Sequence, residues 1–375
     1  MSTRIGGAVV VKVGSSVLAD ERGEPREAVL EQICAALARA RKRGQAPALV
    51  SSGAIARGVS ALGLAGRPAA IAELQAASAV GQGRLFSAYD RLLAAQGLLG
   101  AQVLLTAADL HERTRYLNAR RTLATLLQWG VVPVINENDT TATDEISFGD
   151  NDFLAAQVAT ALHAQLLVLL TDVEGIYSSD PRLDGDARLI GEIGDPELLA
   201  EMLEHSVSAG TSQWGTGGMR AKLAAAQIAT AAGVATIICS GLAEGALDAA
   251  LAGGPSGTRI AGRPREDSAF KLWLRFAKPA RGTLIVDEGA SAALRSNGSS
   301  LLPVGIIAVE GEFQAGDAVE VRERSGELIA KGLVSYSAAE LQRIKGCDSR
   351  ALRKLITDAT DEEAIHRDQL VLAGA

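Results

Sequence analysis

The feature that most constrains this chain is a repeated alternation. Short runs of β-branched residues are followed by long Ala/Leu-rich amphipathic stretches, the pattern of a mostly parallel sheet with helices on its faces. "AVVVKVG" (8–14) reads as a first strand, and "EAVLEQICAALARARKRG" (27–44) as a helix closed by basic residues and Gly44. "PALVSSG", "AQVLLT", "VVPVIN", "LLVLLTD" and "VATIICSG" are later strands on the same argument, each ending in a small or polar residue. In open α/β sheets the ligand lies beyond the carboxyl ends of the strands. Gly14, Ser15, Ser52, Gly53, Asn136, Thr171 and Asp172 are therefore expected to face one crevice.

At 375 residues two domains are expected, and the texture changes after about residue 262. "GRPREDSAFKLWLRFAKPARG" carries two of the ten prolines and a charge run. Beyond it come short strand-like pieces, "GTLIVD", "GIIAVEG", "DAVEVRE" and "ELIAKGLVS", punctuated by Gly and Asp. The expected division is a catalytic-type α/β domain over 1–262, a linker over 263–279 and a small β-rich domain over 280–375.

Several function classes are excluded by composition. The net charge of -7 argues against a general polyanion-binding surface. Cys34, Cys239 and Cys347 are odd in number and lack metal-ligand spacing, so buried thiols are expected rather than disulfides or a zinc site. Lys12 interrupts the first apolar run, and no run reaches bilayer length. A reducing cytoplasm and no membrane follow as expectations.

Three glycine-containing turns carry candidate chemistry. In "KVGSS", Lys12 lies within the first strand, where a buried ammonium is costly unless an anion meets it; an edge lysine reaching water is the alternative. "SSGAIARG" is a strand, a tight turn and a helix start, where free N–H groups and the dipole favour an anion. "GTGGMRAK" (215–222) lets the backbone approach a ligand closely, with Lys222 one turn into the next helix; a flexible surface loop is the competing reading. It is not a Walker A loop. Finally, "SFGDND" places Asp150, Asn151 and Asp152 together at a helix start, more acid and amide than an N-cap requires.

Taken in order, "KVGSS", "SSGAIARG", "NENDTTATDEISFGDND", "LLTDVEGIYSSDPR" and "GTGGMRAK" resemble the amino acid kinase family, and specifically its branch that phosphorylates the side-chain carboxylate of glutamate. The likeness covers essentially the whole chain, because "RGTLIVDEGASAALRSNGSSLLPVGI" and "GELIAKGLVSYSAAELQRIKG" look like the C-terminal PUA domain of the bacterial enzymes. The implied fold is a three-layer αβα sandwich around a mostly parallel open sheet, plus a small β-rich PUA-like domain. The implied reaction is ATP plus L-glutamate giving ADP and γ-glutamyl phosphate, the first step of proline biosynthesis. The segment "TDVEGIYSSDPR" is shared across the family and bears on fold and ATP use only, whereas "INENDTTATDEISFGDND" points to glutamate.

Elementary chemistry is consistent with that implication. A carboxylate of pKa about 4.3 is ionised at neutral pH and needs no general base, so four scattered histidines do not count against an enzyme. The obstacle is electrostatic: like charges about 4 Å apart repel by about 4 kcal/mol at an effective dielectric of about 20. By resemblance, Lys12 and Lys222 are the catalytic lysines, Asp152 orients both, and Mg²⁺ is held mainly through the ATP phosphates, with no protein metal ligand assigned. Ser52, Gly53, Asp139, Asp150 and Asn151 match substrate-binding positions. Lys12, Gly14, Thr171, Asp172 and the run Thr216, Gly217, Gly218, Met219, Arg220, Ala221 and Lys222 match ATP-binding positions. The family further implies a homo-oligomer, inhibition by proline, and a downstream glutamyl phosphate reductase. Residues 281–375 hold 11 basic against 15 acidic residues, so nucleic acid is not the expected partner of the PUA-like domain. Alternatives are a related kinase acting on aspartate or N-acetylglutamate, and an RNA-binding regulatory protein with an inert kinase domain.

Overall fold

The computed structural model describes residues 7–20, 24–141, 151–179, 184–205, 218–263, 269–276, 278–347 and 363–373. The chain divides into two units, Met1–Glu266 and Asp267–Ala375, each with its own hydrophobic core.

The first unit is built on an eight-stranded sheet. Strand β1 (Ala8–Val13) lies at its centre, parallel to β2 (Ala46–Ser51) on one side and β5 (Leu166–Thr171) on the other. With β3 (Gly100–Leu105), β4 (Val132–Glu137), β6 (Glu192–Ile193), β7 (Ala235–Ser240) and β8 (Thr258–Ile260), the order is β3-β4-β2-β1-β5-β7-β8-β6. The six strands expected from the sequence all form, and all run parallel. Strands β6 and β8 were not anticipated; at two and three residues they are too short for a period-2 signal, and β8 runs antiparallel to β7.

The helices of the first unit include α1 (Ser15–Leu18), α5 (Ala107–His111) and α8 (Pro196–His205). Both faces of the sheet are covered, which explains why β1, β2 and β5 read as near-continuous apolar runs. Side chains alternate across a strand. Val9, Val11 and Val13 enter the core that includes Val29, Leu37 and Ala40 of α2 (Glu27–Lys42), Leu85 and Tyr89 of α4 (Ile71–Ala95), and Leu247 of α10 (Ala246–Ala252). Lys12 therefore points to the opposite face, where α7 (Asn151–Leu162) packs on β1 and β5, with α6 (Arg113–Gln128) and α9 (Met219–Ala231) beside it. Helix α7 is apolar nearly all round and is buried from Asn151 to Leu162 apart from the half-buried Phe153, as an inner helix must be.

Helix α4 crosses α3 (Ala54–Leu62) at close quarters. A Cβ on Gly58 would overlap the Ala77 carbonyl, and one on Gly81 would overlap the Ala54 carbonyl, so the two backbones touch where side chains would normally separate them.

The second unit is a five-stranded sheet in the order β10-β9-β11-β12-β13, from β9 (Ala280–Val286), β10 (Ile306–Gly311), β11 (Ala318–Glu323), β12 (Leu328–Leu333) and β13 (Leu370–Leu372). Strands β9 and β11 pair parallel and the other neighbours antiparallel. Leu284, Val321, Ile329, Leu341 and Ile365 are in its core. Within the stretch 263–279, Ala269–Phe276 form helix α11, whose Trp273 and Leu274 are buried.

Cys34 and Cys239 are buried free thiols, pushed up to about 12 and about 11 by desolvation; Cys347 differs from expectation in being only half-buried. No helix among the described residues is long and apolar enough to cross a membrane.

Candidate active site

Three charged side chains meet on the α7 face of the sheet. Lys12 Nζ lies 2.7 Å from Asp152 Oδ1, and Lys222 Nζ lies 3.2 Å from Asp152 Oδ2. All three are at most 5% exposed. Each comes from a different local cause. Lys12 is the penultimate residue of β1, Asp152 occupies the first turn of α7, and Lys222 stands one turn into α9. Burial alone pushes the Asp152 carboxyl up, but the charges and hydrogen bonds of the two ammonium groups outweigh it and hold it below the usual carboxylate range. The group is thus an anion at neutral pH, holding two cations at one point.

The strand ends beside this cluster carry the expected small and polar residues. Gly14 follows β1 with the Lys12 ammonium next to it; an added Cβ would stand 3.5 Å from Nζ. Gly53, between β2 and α3, has φ +100°, a left-handed conformation that glycine adopts without strain. Thr171 ends β5, and its Oγ1 donates to Asp172 Oδ1 at 3.1 Å. Gly218 caps α9 without a side-chain hydrogen bond, and Met219, Arg220 and Ala221 form the first turn before Lys222. The open backbone donors of such a turn favour an anion. Asp150, Thr216 and Gly217 lie outside the described residues.

A second polar cluster adjoins the first through sequence-adjacent Asn151 and Asp152. Asn151 Nδ2 donates to Ser52 Oγ at 2.9 Å and to Asn136 Oδ1 at 3.0 Å. Its Oδ1 is buried and has no hydrogen-bond partner among the described residues. Asp139, 7% exposed, accepts from Ser78 Oγ at 2.6 Å. Desolvation raises its carboxyl above the ordinary value, opposed in part by that hydrogen bond and by the charge of Arg67.

Of the residues singled out in the sequence, Lys12, Asp152 and Lys222 are brought into direct contact, and Asn151 and Ser52 into a hydrogen bond. Ser78 and Gln82, both from α4, were missed. Gln82 Oε1 accepts from Asn136 Nδ2 at 2.6 Å. Their signal in the sequence is faint: a serine and a glutamine four residues apart on the small-residue side of "QAASAVGQG", a face that must be buried.

The arrangement fits a polyphosphate and a small zwitterion. Two lysines and a helix N-terminus supply cations and donors, and an unpartnered amide oxygen and a carboxylate supply acceptors. Among the described residues no group of three or more His, Cys, Asp or Glu could hold a metal ion.

Comparison with known proteins gives the same direction. The amino acid kinase family profile matches residues 7–240, and the PUA domain profile matches residues 282–356. A glutamate 5-kinase of Synechococcus sp. (strain JA-3-3Ab) is 48% identical over 370 residues, covering 98% of each chain. The glutamate 5-kinase of Gloeobacter violaceus is 49% identical over 97% of this chain and 99% of its own. That of Thermoanaerobacter sp. (strain X514) is 41% identical over 97% of each. Among solved structures, a UMP kinase from Bacillus anthracis aligns with 68% of this chain and 96% of its own at 14% identity, with a TM-score of 0.47. With profile coverage from β1 through β7 and near-full-length relatives at this identity, the chain belongs to the amino acid kinase family.

Proposed function

We propose that this chain transfers the γ-phosphoryl group of ATP to the γ-carboxylate of L-glutamate, forming γ-glutamyl phosphate in the first step of proline biosynthesis. Near-full-length identity of 41–49% to glutamate 5-kinases supports the reaction. The observation that carries the mechanism is the convergence of Lys12 and Lys222 on buried Asp152.

In the step itself, an oxygen of the ionised γ-carboxylate forms a bond to the γ-phosphorus while the bond to the β,γ-bridging oxygen breaks, and ADP leaves. No proton need move. Lys12 and Lys222 offset the repulsion between the two anions and the charge that builds on the transferred group, while Asp152 holds both ammonium groups in place. The turn from Gly218 to Lys222 offers backbone donors to the phosphates, with Gly14, Thr171 and Asp172 at the nucleotide side. Thr216 and Gly217, outside the described residues, are assigned to nucleotide binding with it. Mg²⁺ bound to the nucleotide would neutralise its phosphates. Ser52, Gly53, Asp139, Asp150 and Asn151 hold the amino acid, with Asp139 and the Asn151 amide oxygen as acceptors for the α-ammonium group. N-acetylglutamate has no such charge, which disfavours it here.

The proposal extends to a cytoplasmic homo-oligomer in which proline competes for the glutamate site. The product is a reactive acyl phosphate, consumed by a glutamyl phosphate reductase. Incubation with ATP, Mg²⁺ and hydroxylamine tests the reaction, offering glutamate, aspartate, N-acetylglutamate or carbamate separately. Hydroxamate is expected with glutamate alone; none with glutamate overturns the assignment.

A further inference from the structure

Ser78 and Gln82 stand four residues apart on α4 and so share one face of that helix. Each holds a different residue of the amino-acid side of the site. Ser78 donates to Asp139 Oδ2 at 2.6 Å, and Gln82 accepts from Asn136 Nδ2 at 2.6 Å.

The second contact matters because it belongs to a chain whose polarity is fixed at one end. The backbone N–H of Glu137 donates to Asn136 Oδ1 at 2.9 Å, and a backbone N–H has no other role open to it. The Asn136 amide is thereby oriented: its oxygen faces Glu137 N and Asn151, and its nitrogen faces Gln82. Asn151 must then turn its own Nδ2 toward Asn136 Oδ1, at 3.0 Å, and toward Ser52 Oγ, at 2.9 Å. Both protons are spent, so the group left over is Oδ1, an acceptor, buried and unpartnered among the described residues. If Asn136 flipped, two amide nitrogens would face each other and Glu137 N–H would lose its acceptor, each costly in a buried site.

We propose that Ser78 and Gln82 are positioning residues for glutamate. From one face of α4 they fix the direction of the Asp139 carboxylate and, through Asn136, the polarity of Asn151, so that Asp139 and Asn151 both present acceptors toward the α-ammonium group. The inference rests on the glutamate reading above and adds to it residues that touch neither the amino acid nor the nucleotide. Because α4 meets α3 backbone to backbone at Gly58, Ala77 and Gly81, the helix carrying Ser78 and Gln82 is anchored against the one that follows the Ser52–Gly53 turn.

The test is steady-state kinetics on the full chain, varying glutamate at saturating ATP and ATP at saturating glutamate. Gln82→Met keeps length and loses the acceptor; Gln82→Glu keeps it. Gln82 is half-buried, and Ser78→Ala removes a single oxygen, so both sites allow folded variants to be compared. In Gln82→Met and Ser78→Ala the KM for glutamate is expected to rise about tenfold, the order expected when a buried polar group loses its partner. The kcat and the KM for ATP should stay within about twofold, and Gln82→Glu should recover most of the loss. A KM for glutamate unchanged in both variants overturns the inference, as does an equal rise in the KM for ATP or a failure of Gln82→Glu to recover. Wild-type turnover is measured first: without it the glutamate reading and the inference fall together, whereas turnover with unmoved KM values removes the inference alone.

Discussion

Replacing Asp152 by Asn keeps the shape of the side chain and removes the charge shared by two lysines. At an effective dielectric of about 20, a unit charge at 2.7 Å contributes about 6 kcal/mol of attraction and one at 3.2 Å about 5 kcal/mol. These are gross values, offset by the cost of burying three charges that are at most 5% exposed. What the substitution leaves behind is two buried ammonium groups without the carboxylate they converge on, a situation that typically costs about 3–5 kcal/mol. Urea unfolding of Asp152→Asn, followed by circular dichroism, is expected to show a loss of that order in the first unit's transition. A second consequence separates this account from simple damage. Polyphosphate can supply the missing negative charge, so ATP should stabilise Asp152→Asn more than it stabilises the wild type at the same ATP concentration. Catalysis should not return, because the lysines are then held by the nucleotide rather than in advance of it. A variant that unfolds within about 1 kcal/mol of wild type, or gains no more from ATP than wild type does, would show that Asp152 is not the anchor of the cluster.

Lys12→Ala and Lys222→Ala each remove one cation while leaving Asp152 paired with the other, so kcat is expected to fall by about 10²-fold or more. The KM for ATP should change less than kcat; a near-normal kcat in either variant removes that lysine from the step. Burial holds the Asp139 carboxyl above its ordinary value, so the folded chain keeps a proton there that the unfolded chain has released. That contribution to stability is present below the unfolded pKa and is lost as pH rises through the raised one. An incoming ammonium group offsets the loss, so the rise in Tm produced by saturating glutamate should grow across that window and stay flat in Asp139→Asn. Gly81→Ala drives a methyl group into the Ala54 carbonyl and should destabilise by about 1–3 kcal/mol in urea. It should also raise the KM for glutamate, since Ser78 and Gln82 ride on the same helix; a stability loss with unchanged KM would separate the helix crossing from the site.

What could be read from the sequence was whatever broke a local pattern. Lys12 stands among valines in a strand that is buried along its length, and Asp152 adds a second acid to a helix start that needs one cap. Both anomalies are visible without a partner, and in the fold each is the other's explanation, 2.7 Å apart. The parallel strands were legible for the same reason, because burial on both faces leaves a run of apolar residues. Ser78 and Gln82 broke nothing. A serine and a glutamine fit within an Ala-rich helix, and their significance depends on Asp139, 61 residues away, and Asn136, 54 residues away. The polarity of Asn151 was further still from view, since it is decided by a backbone N–H at Glu137, and every residue has one. Charges announce themselves in a sequence because their burial is costly wherever it occurs. Neutral amides and hydroxyls are common on helices whether buried or exposed, so only the packing that sets Ser78 against Asp139 and Gln82 against Asn136 distinguishes these two. It follows that the buried cluster of Lys12, Asp152 and Lys222 is the legible part of the site, whereas the neutral groups that hold Asp139, Asn136 and Asn151 carry little information until their neighbours are known.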